Sequence, residues 1–148
     1  AKAYNGFNLL VIDRNNVGYL SNYKKGIELL SDGIYGLSNG LLDSNWLKVQ
    51  RGKENFTALL QHDVSATSLF ELLYDEDRAP DDQLPDTGLD IERERALSSM
   101  FIKTPGYGTR CSTVVLIDHQ NKVEFTERVY NLETFEYSTK TFMFSIAE

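Results

Sequence analysis

The densest group of reactive side chains lies in Thr104-Pro105-Gly106-Tyr107-Gly108-Thr109-Arg110-Cys111-Ser112-Thr113. A thiol beside a guanidinium can be held as a thiolate and act as a nucleophile. A guanidinium presents a fixed fork of donors that suits a carboxylate or a developing oxyanion. Tyr107 and Ser112 add hydroxyls that can touch a ligand. Two readings stay open for this stretch: an ordinary hairpin corner, or a site delivered by a turn to the start of a strand. Cys111 itself reads as a small buried hydrophobe, because free cysteine is among the most buried residue types. Strand alternation sets it with Thr113, Val115 and Ile117, away from the Arg110 face.

The rest of the catalytic inventory is thin. His62 and His119 lack metal-ligand spacing to any partner, and zinc needs three or four converging ligands. The acidic segment 75–90 carries Asp75, Asp77, Asp81 and Asp82, yet it lacks the alternating ligands around a Gly and the closing Glu of a calcium loop. It reads as a solvated loop. There is no Gly-rich phosphate loop followed by Lys and no Gly-x-Ser-x-Gly elbow. No metal and no cofactor are expected.

Composition narrows the partners. The net charge of -7 argues against nucleic acid, whose phosphates need clustered Lys and Arg. No apolar run approaches the ~20 residues of a spanning helix. A single cysteine allows no internal disulfide, which fits a reducing, cytoplasmic setting. With 41% apolar residues in 148, the chain can build the core of one domain, 1–148.

The elements that must position these groups follow from periodicity. Strands are expected over 4–13, 17–21, 26–30 and 34–38, the last ending at Asn39-Gly40. A helix capped by Ser44 or Asn45 follows, with Trp46, Val49, Phe56, Leu59 and Leu60 on one stripe. A second helix, opened by Asp63 or Ser65, carries Ala66, Leu69, Phe70 and Leu73 inward. Asp90 caps a short third helix to about Met100. Strands then run through 114–117, 122–131 and 134–146. Strands, helices, then strands make an α+β fold. If Asp118 pairs with Val123, then Arg110, Ser112, Val114 and Leu116 share a face with Phe125, Glu127 and Val129. The strand at 7–12 is apolar on both faces, so a chain lacking the front of its fold should associate with that segment or with itself, or expose an apolar patch.

Three blocks carry a resemblance: Tyr4-Asn5-Gly6-Phe7-Asn8-Leu9-Leu10; Tyr35-Gly36-Leu37-Ser38-Asn39 with Leu42-Asp43 and Trp46-x-Lys48; and Tyr107 to Thr113 with Phe125-x-Glu127-Arg128. In this order they resemble the transport and Golgi organisation protein 2 family, also called the NRDE family. The resemblance covers nearly all of this chain and roughly the last half of the longer family members. Their opening segment, with a Cys after the initiator Met, has no counterpart here.

The family is similar to N-terminal-nucleophile hydrolases, which implies an αββα sandwich of antiparallel sheets between helix layers. Members have been linked to haem trafficking, to lipid and acyl-coenzyme A metabolism, and to secretion. A distant similarity to choloylglycine hydrolases implies that Asn39 and Arg110 flank a catalytic centre. In a hydrolase of this type a terminal Cys would attack an amide or thioester carbonyl, Asn39 would donate to the oxyanion and Arg110 would stabilise charge. The second class is a carrier that binds haem or an acyl lipid without chemistry. With no such nucleophile in view, the binding role is the expectation.

Overall fold

The computed structural model describes residues 5–13, 15–62 and 64–146. Tyr4 and Asp63, which figured in the expected strand and helix cap, lie outside them, as does Arg14. Two compact units divide the chain, Ala1–Asn45 and Trp46–Glu148.

The first unit is an antiparallel sheet of β1 (Asn8–Ile12), β2 (Val17–Ser21) and β3 (Ile27–Leu30), in that order. The Asp13 carboxylate makes the first turn, accepting the N–H groups of Asn15 and Asn16 at 2.8 Å each. Register places Leu9, Leu20 and Ile27 in one cross-strand row, with Val11, Gly18 and Leu29 in the next on the same face. Leu9, Val11, Ile27 and Leu29 are all exposed, so this apolar face is uncovered.

On the other face Tyr19 is buried. Its hydroxyl donates to Asn8 Oδ1 at 2.8 Å and accepts the Leu42 N–H at 3.0 Å. Asn8 in turn donates to the Gly40 carbonyl. Residues 34–38 do not form the expected strand. Asp43 holds them in a loop, its N–H on the Gly36 carbonyl (2.7 Å) and its carboxylate on the Gly36 N–H (2.8 Å).

The second unit joins helices to a second antiparallel sheet. The cap of α1 (Leu47–Leu59) is Trp46, with no side-chain hydrogen bond, rather than Ser44 or Asn45. α2 (Ala66–Leu73) starts at Ser65, whose hydroxyl and that of Ser68 satisfy each other's backbone N–H in a capping box. Asp90 caps α3 (Ile91–Leu97) by accepting from Arg93 N–H. The acidic segment is laced by arginines: Arg51 pairs with Asp75 and Asp77, and Arg95 takes Asp81 through both Nε and Nη2.

β4 (Lys103–Thr104) and β5 (Tyr107–Gly108) form a small hairpin around Pro105-Gly106. Gly106 has φ +74°, the position that a type II turn reserves for glycine.

The main sheet is β6 (Cys111–Ile117), β7 (Lys122–Tyr130) and β8 (Tyr137–Ser145), with β7 central. α2 packs on β6, and α1 on α2. Phe70, Phe101 and Tyr130 form the core of this unit, with Phe101 4.2 Å from Tyr74 and 4.8 Å from Tyr130 between ring centroids.

Ile117 pairs with Val123, one position away from the expected Asp118–Val123 pairing. The loop is three residues long, His119-Gln120-Asn121, and Asn121 takes φ +59°. That is the three-residue hairpin with a left-handed last position. The slip moves Glu127 off the Val114 face; it stands opposite Thr113, whose hydroxyl donates to it at 3.2 Å.

Candidate functional site

The β6–β7–β8 sheet has two unlike faces. On the helix side Ser112 stands across from Arg128 and Thr139, and Val114 across from Thr126 and Thr141. Ser112, Val114 and Thr126 are buried there. On the other side the rows are Cys111, Val129 and Ser138; Thr113, Glu127 and Lys140; Val115, Phe125 and Phe142; Ile117, Val123 and Phe144. Val115, Ile117, Val129, Phe142 and Phe144 are each between 47% and 57% exposed, so this face is largely uncovered, with Val123 buried in its central strand.

Cys111 corrects the sequence reading. Its partners in alternation are those expected, Thr113, Val115 and Ile117, but they form the uncovered face, and Cys111 is exposed. The strand's burial follows where α2 packs, and α2 lies over Ser112 and Val114.

The turn before β6 is fixed by Thr109. Its hydroxyl accepts the Ile102 N–H at 2.9 Å, and its own N–H donates to the Ile102 carbonyl at 2.8 Å. A Cβ on Gly108 would meet that same Ile102 oxygen at 2.5 Å, so only glycine fits this close approach. Arg110 follows, exposed, its backbone carbonyl taken by Tyr130 N–H. No hydrogen bond or ion pair engages its side chain among the described residues. Tyr107 is exposed in β5. Ser112 is buried, with its Oγ a long 3.5 Å from the Tyr130 hydroxyl.

Asn39 is exposed in the loop that Tyr19 and Asp43 hold, and its side chain likewise has no partner among the described residues. It belongs to the first unit, while Arg110, Tyr107 and Ser112 belong to the second.

Sequence reasoning passed over two cations of the main sheet. Lys140 stands on the uncovered face opposite Glu127, without an ion pair among the described residues. Arg128 has its guanidinium carbon 4.2 Å from the Phe70 ring centroid and 4.5 Å from that of Tyr137. The signal for Arg128 was the polar run at 124, 126 and 128, which one register step turns onto the helix side. Glu94 is a buried polar group; it accepts from the Thr87 hydroxyl (2.5 Å) and N–H (2.8 Å), and these bonds hold its carboxyl below the usual range. Burial pushes the Lys48 ammonium down, although it donates to the Leu97 carbonyl at 2.8 Å.

Comparison with known proteins decides the family. The family model described as Transport and Golgi organisation 2 matches residues 1–132. The chain belongs to this family. It is 32% identical to the human Transport and Golgi organization protein 2 homolog, over 97% of this chain and 58% of that protein. The mouse homolog is 31% identical with the same coverages, and the Drosophila melanogaster protein 30% identical over 84% of this chain and 49% of its own length. The chain therefore spans between about half and three fifths of the length of these relatives. No helix among the described residues is long and apolar enough to cross a membrane.

Proposed function

We propose that this member of the Transport and Golgi organisation 2 family binds and carries a small ligand with an apolar body and an anionic group, the chemistry that haem and acyl lipids share. One observation carries the reading. The uncovered face of the main sheet is an apolar field of Val115, Ile117, Phe125, Phe142 and Phe144 that ends on the polar row Thr113, Glu127 and Lys140. The apolar body lies on the field, where covering exposed apolar area stabilises by ~25 cal/mol per Å². The anion meets Lys140, a cation without an ion pair among the described residues, on a chain of net charge -7. No nucleic acid is involved, and the lone cysteine suits a reducing, cytoplasmic setting.

A second reading is a Cys-dependent amide or thioester hydrolase with its nucleophile outside this chain, on an N-terminal-nucleophile hydrolase-like αββα sandwich. In the second unit Arg110 favours it: its side chain makes no hydrogen bond or ion pair among the described residues and can meet an oxyanion, with Tyr107 exposed in the turn before it.

Titration of the chain with a fluorescent polyene fatty acid and, separately, with haemin tests the binding reading. Saturable 1:1 binding is expected for at least one probe, weakened about tenfold or more by Phe142→Asp and several-fold by Lys140→Glu. Absence of saturation with both probes, or equal affinity in the Phe142→Asp variant, overturns it.

A further inference from the structure

The helix side of the same sheet holds a cation that no internal group explains. Arg128 lies in the central strand, clamped between Phe70 of α2 and Tyr137 of β8. Its Nε is buried and makes no hydrogen bond. No carboxylate among the described residues pairs with it. An unsatisfied buried donor is costly, more so on a charged group. Stacking on two rings accounts for the position of the guanidinium plane. It does not account for the empty Nε, because ring faces leave the in-plane N–H fork unused.

We propose that Arg128, with Ser112 directly across the β6–β7 ladder, is a subsite for an oxyanion, a carboxylate or a phosphate group. The rings fix the plane, so the fork is preorganised for bidentate donation to the anion and little side-chain entropy is lost on binding. Ser112 Oγ is buried on the same face and, among the described residues, held only by a 3.5 Å contact from the Tyr130 hydroxyl. It is therefore free to turn its proton to the anion. Tyr137, which covers the guanidinium from the β8 edge, is 52% exposed, so the ligand reaches Nε by displacing this ring. The subsite lies on the face opposite Lys140 and the apolar field, so it stands or falls independently of the carrier reading.

Arginine side-chain NMR on the chain tests this. Nε–Hε signals are recorded while sodium phosphate, or separately sodium hexanoate, replaces sodium chloride at constant ionic strength. The Arg128 signal, assigned through Arg128→Lys, moves saturably with at least one anion, and the anion that works names the ligand class. Ser112→Ala weakens that binding about three- to tenfold. An Arg128 signal that stays in place with both anions, or drifts without saturation, overturns the proposal and leaves Arg128 a strut between Phe70 and Tyr137.

Discussion

The Tyr19 hydroxyl takes the Leu42 N–H at 3.0 Å while giving its own proton to Asn8, so one buried side chain ties the first sheet to the loop that carries Asn39. Tyr19→Phe removes the acceptor for Leu42 and the donor for Asn8 Oδ1 together. A loss of ~1–3 kcal/mol is expected from the stranded groups. Hydrogen exchange at the Leu42 amide should accelerate more than exchange in α2, which lies in the other unit. Equal protection at Leu42 in the two proteins would show that the loop is held by other means.

Two glycines of the turn before β6 separate two physical causes. Gly106 has φ +74° and open space around it; Gly108 has no room, with Ile102 O at 2.5 Å and the Phe135 ring at 3.2 Å from an added Cβ. Gly106→Ala is expected to cost ~1 kcal/mol through backbone strain. Gly108→Ala must move backbone and is expected to cost ~2–3 kcal/mol. Denaturant unfolding of both variants checks the order; a Gly108→Ala protein as stable as the parent would mean that the turn relaxes freely.

Much of the architecture was legible because its signals are local. Asp90 and Ser65 cap the helices they should, Pro105-Gly106 turns, and β2 and β3 fall where alternation puts them. What failed depended on contacts distant in sequence. Residues 34–38 have strand-like alternation, but Asp43 supplies the bonds that a neighbouring strand would have made. The β6–β7 register hung on whether the loop held three residues or four, and one step turns every side chain of β7 over. Arg128 and Glu127 changed faces with that step. The face of β6 that is covered is set by α2, so the alternation of Cys111 was readable and its exposure was not.

Glu94 gives a pH dependence. Thr87 donates twice to its carboxylate, which lowers its pKa in the folded chain below the ordinary 4.5. The unfolded chain then binds the proton more readily, so stability rises as pH rises in this range. The contribution is complete above 4.5 and is lost as pH falls through the lower folded value. Glu94→Gln should flatten that part of the curve, leaving parent and variant closer at pH 3 than at pH 6. Chemical denaturation at several pH values measures it, and a constant difference across the range would assign the acid sensitivity to other carboxylates.

Cys111 reports on the uncovered face of the main sheet. It lies in a row with Val129 and Ser138, next to the row of Thr113, Glu127 and Lys140, and its residue is exposed. A thiol shielded inside a core reacts only when the protein opens, so its labelling tracks the unfolding equilibrium and is slower by orders of magnitude. An exposed thiol needs no opening. Native chain is therefore expected to react with an aromatic disulfide reagent within about tenfold of the rate in denaturant. The same experiment probes the carrier reading from another side. A ligand lying on Val115, Phe125 and Phe142 with its anion at Lys140 also shadows the neighbouring Cys111, so saturating fatty acid or haemin should slow labelling several-fold. Sodium phosphate, which the Arg128 subsite would take on the opposite face, should not slow it. Fast labelling that no apolar ligand slows would keep the exposure of Cys111 and remove the ligand from its face; slow native labelling would mean that the face is covered in solution.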